Sequence, residues 1–144
     1  MENIKLRRVA RVSTFRRLAL AAWSAPRDPT IHGSLELDAT AALAYLEELP
    51  LRTGERATMT HLVGRAIAVA LAERPDLNVM IRWQRFYQRR DVDIFFQVAL
   101  GAGLGDTAAL DLSGIVVRRA DTKSVADIAR EFADRLAAIR DDRD

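Results

Sequence analysis

One stretch limits the possible folds more than any other: Thr58 to Asn78, reading TMTHLVGRAIAVALAERPDLN. Its apolar residues recur at three- and four-residue intervals. One row is Leu62, Ala66, Val69 and Ala70, and a second is Val63, Ile67 and Leu71. That spacing predicts an α-helix, and two adjacent rows predict one that is mostly buried. Thr58 stands where an N-cap hydroxyl accepts from an amide of the first turn. His61, Arg65, Glu73 and Arg74 fall on the side expected to meet water. Pro75 cannot continue a helix and disfavours helical geometry at Arg74, so the stop is sharp. Asp76-Leu77-Asn78 then turns the chain into an extended run.

A helix this apolar needs covering elements, and both flanks offer them. Met1 to Arg11 shows no helical stripe and reads as an extended arm. Ser13-Thr14 caps a short helix, Phe15 to Trp23, with Phe15, Leu18, Ala19 and Ala22 on one side. Ala25 to Pro29 is a turn. Ile31 to Asp38 alternates, with Ile31, Gly33, Leu35 and Leu37 opposite His32, Ser34, Glu36 and Asp38, the pattern of a half-buried strand. Asp38 or Thr40 then caps a helix to about Leu49, with Leu43, Leu46 and Leu49 inward. Pro50 to Ala57 is a polar connection.

After Asn78, Val79 to Trp83 and Phe86 to Arg89 predict two strands around a turn near Gln84. Asp91 to Leu100 is a third strand, with Val92, Ile94, Phe96 and Val98 on one face. Phe95 interrupts the polar side of that strand, which implies cover on both faces. Gly101 to Asp111 reads as a loop and Ile115 to Arg118 as a last strand. Ser124 with Asp127 forms a capping-box pattern. The final helix runs to about Arg140 on the stripe Val125, Ile128, Phe132, Leu136 and Ile139, and Arg140 and Arg143 suit its negative end. Helices mixed with strands give an α/β or α+β class, here a mixed sheet with packed helices.

Composition narrows function mainly by exclusion. The 144 residues suit one domain. No cysteine is present, so a disulfide framework and a thiol nucleophile are excluded, and two histidines cannot build a zinc site without carboxylates. Met1 to Arg11 is basic and lacks the apolar core of a signal peptide, and no apolar run reaches membrane-spanning length. The cytoplasm is the expected compartment. Net charge is only +2, and the lysines are Lys5 and Lys123, so the cationic residues are almost all arginine. Arginine forks suit phosphate or carboxylate.

Several residues invite chemistry. His32 lies on the polar side of a predicted strand and His61 in the first turn of the Thr58 helix. Neither has a Ser, Cys or Asp at a catalytic spacing, so each reads as a polar or capping histidine. Gly101 to Gly105 (GAGLG) follows a strand, but no helix opens after it as a dinucleotide loop requires. Arg82, Arg85, Arg89 and Arg90 alternate with Trp83, Phe86 and Tyr87. That resembles a single-stranded nucleic-acid surface, yet hairpin alternation alone gives a solvated arginine face. Arg82 and His32 are the candidates for contact with a small phosphate-bearing cofactor.

Five segments together carry a family resemblance. Ser13 to Arg17 resembles S-G-x-R-K/R. Pro29 to Thr40 (PTIHGSLELDAT) resembles P-H-F-x-x-x-x-D-V-D-x-T. Thr58 to Asn78 matches a helix ending in P-x-L-N. Arg90 to Ile94 is similar to K-D-V-N-I-G, and Ala120 to Ser124 with the helix after it resembles D-A-D-R-K-S-L-x-E-I-A. In this order they resemble the catalytic domain of the acyltransferase subunit of 2-oxoacid dehydrogenase complexes. The resemblance implies a chloramphenicol-acetyltransferase-like two-layer sandwich, acyl transfer between a lipoyl-type thiol and coenzyme A, and trimers whose active sites lie between subunits.

The resemblance covers the family domain's amino-terminal half. The family's general base, in H-x-x-x-D-G, has no counterpart: GSLEL follows His32 and LVGRA follows His61. No catalytic residue is therefore assigned, and the chain alone is expected to be inactive. Three roles stand as expectations. They are an acyltransferase portion completed by a second polypeptide or copy, a non-catalytic assembly or regulatory module, and, less favoured, a basic nucleic-acid-binding domain.

Overall fold

A computed structural model describes residues 4–22, 30, 32–100 and 111–141. The elements run β1 (Leu6–Arg8), α1 (Thr14–Ala22), α2 (Thr40–Thr53), α3 (Met59–Glu73), β2 (Val79–Arg82), β3 (Arg85–Arg89), β4 (Ile94–Leu100), β5 (Asp111–Val117), a 3-10 turn (Ala120–Thr122) and α4 (Val125–Asp141). This is an α+β arrangement. Among the described residues the strands form two antiparallel sheets, β1-β3-β2 and β4-β5, and not the single mixed sheet expected. A parallel pair needs a long crossover between its strands, and the described neighbours join through hairpins or return antiparallel.

The core lies where α3 and α4 cover one face of the β4-β5 ribbon. Phe96 pairs with Ile115 and Ile94 with Val117, so these side chains share that face. Val92, Phe96, Ile115, Val117, Ala68, Ala120 and Ile128 form one buried cluster, with Phe132 and Leu136 at its margin. Ile115, Val117 and Ile128 are fully enclosed, each contributing about 1.5–3 kcal/mol through burial. A smaller cluster joins Leu49 to Val125 and Ala126. The α4 stripe predicted from sequence is the stripe that packs. Its start is fixed by the predicted box: Asp127 N–H donates to Ser124 Oγ at 3.1 Å, and Ser124 N–H to Asp127 Oδ2 at 3.2 Å.

Several expectations are corrected. Residues 32–38 are irregular and exposed, not a half-buried strand; alternation does not supply a partner strand, and none pairs with them among the described residues. Helix α2 passes through Pro50 to Thr53 and stops at Gly54, whose φ of 77° gives the left-handed cap. Pro50 sits within the last turn. Leu49 is buried there, but Leu43 is exposed. On α1, Phe15 and Leu18 face solvent. Phe95 is 63% exposed, so the second face of the ribbon is uncovered at that point. The last strand, expected from Ile115, begins at Asp111, the final residue of the predicted loop Gly101 to Asp111; the rest of that loop, the turn at Ala25 to Pro29, Trp23, Ile31 and Arg143 lie outside the described residues.

The largest correction concerns α3. Its buried residues are His61, Gly64 and Ala68, while Val63, Ile67 and Val69 are at least one-third exposed. The helix is thus buried on one narrow stripe, and the face that enters the core carries its small residues and a histidine.

Candidate functional site

Among the described residues His61 is the one buried polar residue, 7% exposed, at the first turn of α3. The ring stands edge-on to Phe132 with centroids 4.8 Å apart and to Phe96 at 6.1 Å. Phe96 and Phe132 meet edge-on at 5.7 Å, so the three rings form one aromatic group from α3, β4 and α4. Edge-to-face geometry at these distances is favourable for aromatic rings.

One polar contact fixes the imidazole. Thr58 N–H donates to His61 Nδ1 at 3.0 Å, and Thr58 Oγ1 lies 3.2 Å from the same nitrogen. A side chain three residues into the helix thereby reaches back to the N-cap amide, as Glu does in the usual capping box. With Nδ1 accepting, a neutral ring carries its proton on Nε2. Burial holds the imidazole below its ordinary pKa, which favours that neutral form.

This geometry decides what His61 can do. A general base needs an acceptor nitrogen within reach of the proton it removes. The acceptor nitrogen of His61 is already engaged by the backbone N–H of Thr58, and the other nitrogen is a donor. The expected solvent-facing histidine is therefore a buried capping histidine. Arg65, also expected in water, is half-buried with Nη1 shielded from solvent.

His32 is exposed on the irregular stretch before α2. Arg82 is exposed at the end of β2, its guanidinium 4.5 Å from the centroid of Trp83. Arg85, Arg89 and Arg90 are exposed too, as a solvated arginine face requires. Two cavities open beside β3, and His32, His61 and Arg82 line neither of them. Among the described residues, no group of three or more His, Cys, Asp or Glu is gathered to hold a metal ion. No helix there is long and apolar enough to cross a membrane.

The D-V-D-I segment has a visible structural task. Asp93 Oδ2 accepts from Arg118 Nη1 at 2.6 Å, and its Oδ1 accepts from Arg119 N–H at 3.0 Å. Ala120 N–H donates to Val92 carbonyl at 2.8 Å. These bonds tie the start of β4 to the end of β5, where Arg119 takes a left-handed φ of 48°.

The family model of the 2-oxoacid dehydrogenases acyltransferase (catalytic domain) matches residues 2–143. The chain belongs to this family. No curated protein and no solved structure gives a match. The five segments noted in the sequence fall on the arm and α1, the stretch before α2, α3, β4, and the turn into α4. In this acyltransferase-family chain, α3 and the Asp93 clip are elements of scaffold. Sequence reasoning placed His61 on the right helix but on the wrong side of it. The missed signal was Gly64 and Ala68, one and two turns further along the same stripe.

Proposed function

We propose that this chain is part of an acyltransferase domain with the chloramphenicol-acetyltransferase-like fold, and that it is catalytically silent by itself. The full domain would act in the cytoplasm, moving acyl groups between a lipoyl-type thiol and coenzyme A. The family match over residues 2–143 supports the first half of that reading. The observation that carries the second is the engaged Nδ1 of His61. Thiol attack on a thioester needs a base for the thiol proton and donors for the oxyanion. His61 offers no free acceptor, His32 stands exposed without a described partner, and the sequence contains no H-x-x-x-D-G.

The test is acyl transfer from acetyl-coenzyme A to dihydrolipoamide by the purified chain. No turnover is expected from the chain alone. Adding the H-x-x-x-D-G-bearing half of a family acyltransferase as a separate polypeptide is expected to produce turnover. Activity of the chain alone, abolished by His32→Ala or His61→Ala, would overturn the proposal.

A second reading, a non-catalytic assembly module, is favoured by one observation. Phe15 and Leu18 on α1, Val63 and Ile67 on α3, and Leu35 and Leu37 before α2 are all exposed. Apolar faces of this kind mark association surfaces. A homo-oligomer, a trimer by family likeness, would cover them. Sedimentation equilibrium decides it: a monomer at every concentration would rule the module out as a self-assembling one.

A further inference from the structure

The register of sheet β1-β3-β2 sorts its side chains between two faces. Residues directly opposite across a ladder share a face, and residues two apart along a strand return to it. Arg8 and Met80 both stand opposite Tyr87, and Arg82 stands opposite Arg85. Leu6 stands opposite Arg89. Arg8, Arg82, Arg85 and Arg89 therefore fall on one face, around Tyr87. All four arginines are exposed, and no residue of the three strands is buried. The other face carries Phe86 and Gln88, and α1 lies on that side, with the Arg16 guanidinium 5.9 Å from the centroid of the Phe86 ring. The Tyr87 face is thus the one turned away from α1.

The charge on this face is uncompensated. Residues 4–22 and 79–90 hold ten of the chain's 22 basic residues and none of its 20 acidic ones. The whole chain carries only +2, so positive charge is segregated to the arm, α1 and the hairpin. Among the described residues the four arginines form no ion pair. The acids that adjoin this region are engaged elsewhere: Asp91 lies 3.7 Å from Lys5, and Asp76 is held by Arg74 at 3.1 Å and Arg16 at 3.7 Å. Four unanswered cations on one sheet face fit a polyanion.

Shape and aromatic content narrow the choice of polyanion. Arg85 to Arg89 spans about 13 Å along β3, and the three strands span about 10 Å across, an open platform and not a pocket. Tyr87 stands at its centre. At the hairpin tip Trp83 is 74% exposed, with the Arg82 guanidinium 4.5 Å from its centroid. Trp83 and Gln84 hold left-handed φ values of 49° and 55° in a two-residue turn that normally takes Asn-Gly. Strain of this kind gathers at functional sites. A lipid surface would call for apolar side chains standing above the cations, but here Leu6, Met80 and Tyr87 are half-buried and the arginines are exposed. Aromatic rings among arginines suit unpaired bases and their phosphates.

We propose that the Tyr87 face of this sheet binds single-stranded nucleic acid, with bases stacked on Tyr87 and on Trp83 at its end, and phosphates held by the four arginines. The assignment stands whether or not the chain transfers acyl groups.

Fluorescence anisotropy of a labelled single strand of about twelve nucleotides tests it. Saturable binding is expected, its logarithm falling against the logarithm of salt concentration with a slope of about −3, four phosphates at about 0.7 each. A duplex of the same sequence should bind more weakly, because its bases are not free to stack. Arg7→Gln and Arg8→Gln remove the same charge one residue apart but from opposite faces, Arg7 being bonded to Gln88. Arg8→Gln should lower affinity several-fold and flatten the slope by about 0.7, whereas Arg7→Gln should change both little. Tyr87→Leu should lower affinity by about fivefold or more at an unchanged slope. Circular dichroism checks that each variant keeps its fold. Equal losses from Arg7→Gln and Arg8→Gln would overturn the proposal, since they would show diffuse attraction and no reading face. Absence of saturation, tighter binding of the duplex, or binding to phosphatidylserine vesicles without binding to the strand would overturn it as well.

Discussion

The ring of Phe96 lies directly against the backbone of Gly64. A Cβ added at Gly64 would stand 2.7 Å from Phe96 Cε1 and closer still to Cζ. The ring cannot easily retreat, because it is 6% exposed and meets His61 and Phe132 edge-on. Gly64→Ala gains about 1 kcal/mol of helix propensity. Overpacking a filled core costs about 1–3 kcal/mol, so a net loss of up to about 2 kcal/mol is expected. Urea unfolding measures it, and a stabilised variant would contradict the contact.

Acid should weaken the fold through His61 before it acts on the carboxylates. Burial lowers the His61 pKa, so the unfolded chain binds that proton more tightly than the folded one. The stability tied to neutral His61 is complete above the ordinary value near 6.5 and declines as pH falls through it toward the lowered folded value. Asp38, Asp76 and Asp127 are also lowered, by hydrogen bonds from Thr40, Arg74 and Ser124 respectively. Their contributions fade only near and below about pH 4. Unfolding midpoints between about pH 7 and pH 5 should fall for the native chain and less steeply for His61→Gln. Parallel slopes would place the titration elsewhere.

The placement of His61 shows where sequence reading stops. Helix α3 was legible from its period, but period weighs hydrophobicity and not size. Gly64 and Ala68 add little to an apolar count, yet their smallness lets the sheet approach. The larger Val63 and Ile67 consequently face away. The alternating run 31–38 was read as a strand because alternation is local, whereas a strand exists only with a partner. The cavity beside β3 was not legible because Arg85 and Phe86 reach it from a hairpin far along the chain from Arg8, Arg11 and Arg17. By contrast, α4 was read correctly because its stripe of large residues and its Ser124–Asp127 cap agree.

That cap is open to a direct test. Ser124→Ala removes the hydroxyl that accepts from Asp127 N–H, and should cost about 1 kcal/mol. Ser124→Gly should cost less, since glycine tolerates the N-cap conformation. Thermal unfolding of the pair checks the order.

Relief of strain at the hairpin tip should stabilise the chain. Gln84→Gly places the residue without a Cβ at a φ of 55°. A gain of up to about 1 kcal/mol is expected. A loss would mean that the Gln84 side chain contributes more to the arm than its strained backbone costs.

The two sheets are unequal in one respect that bears on time. Among the described residues, none in β1, β2, β3 or α1 is buried, while β4, β5 and α4 hold most of the enclosed side chains. Amide hydrogens of the first sheet should therefore exchange with solvent through small local openings. Those of Phe96, Ile115 and Ile128 should exchange only when the whole chain unfolds. The cavity beside β3 thus sits on the part of the molecule expected to open most readily, and anything that seals the first sheet should show itself first as slowed exchange in β1 and β3.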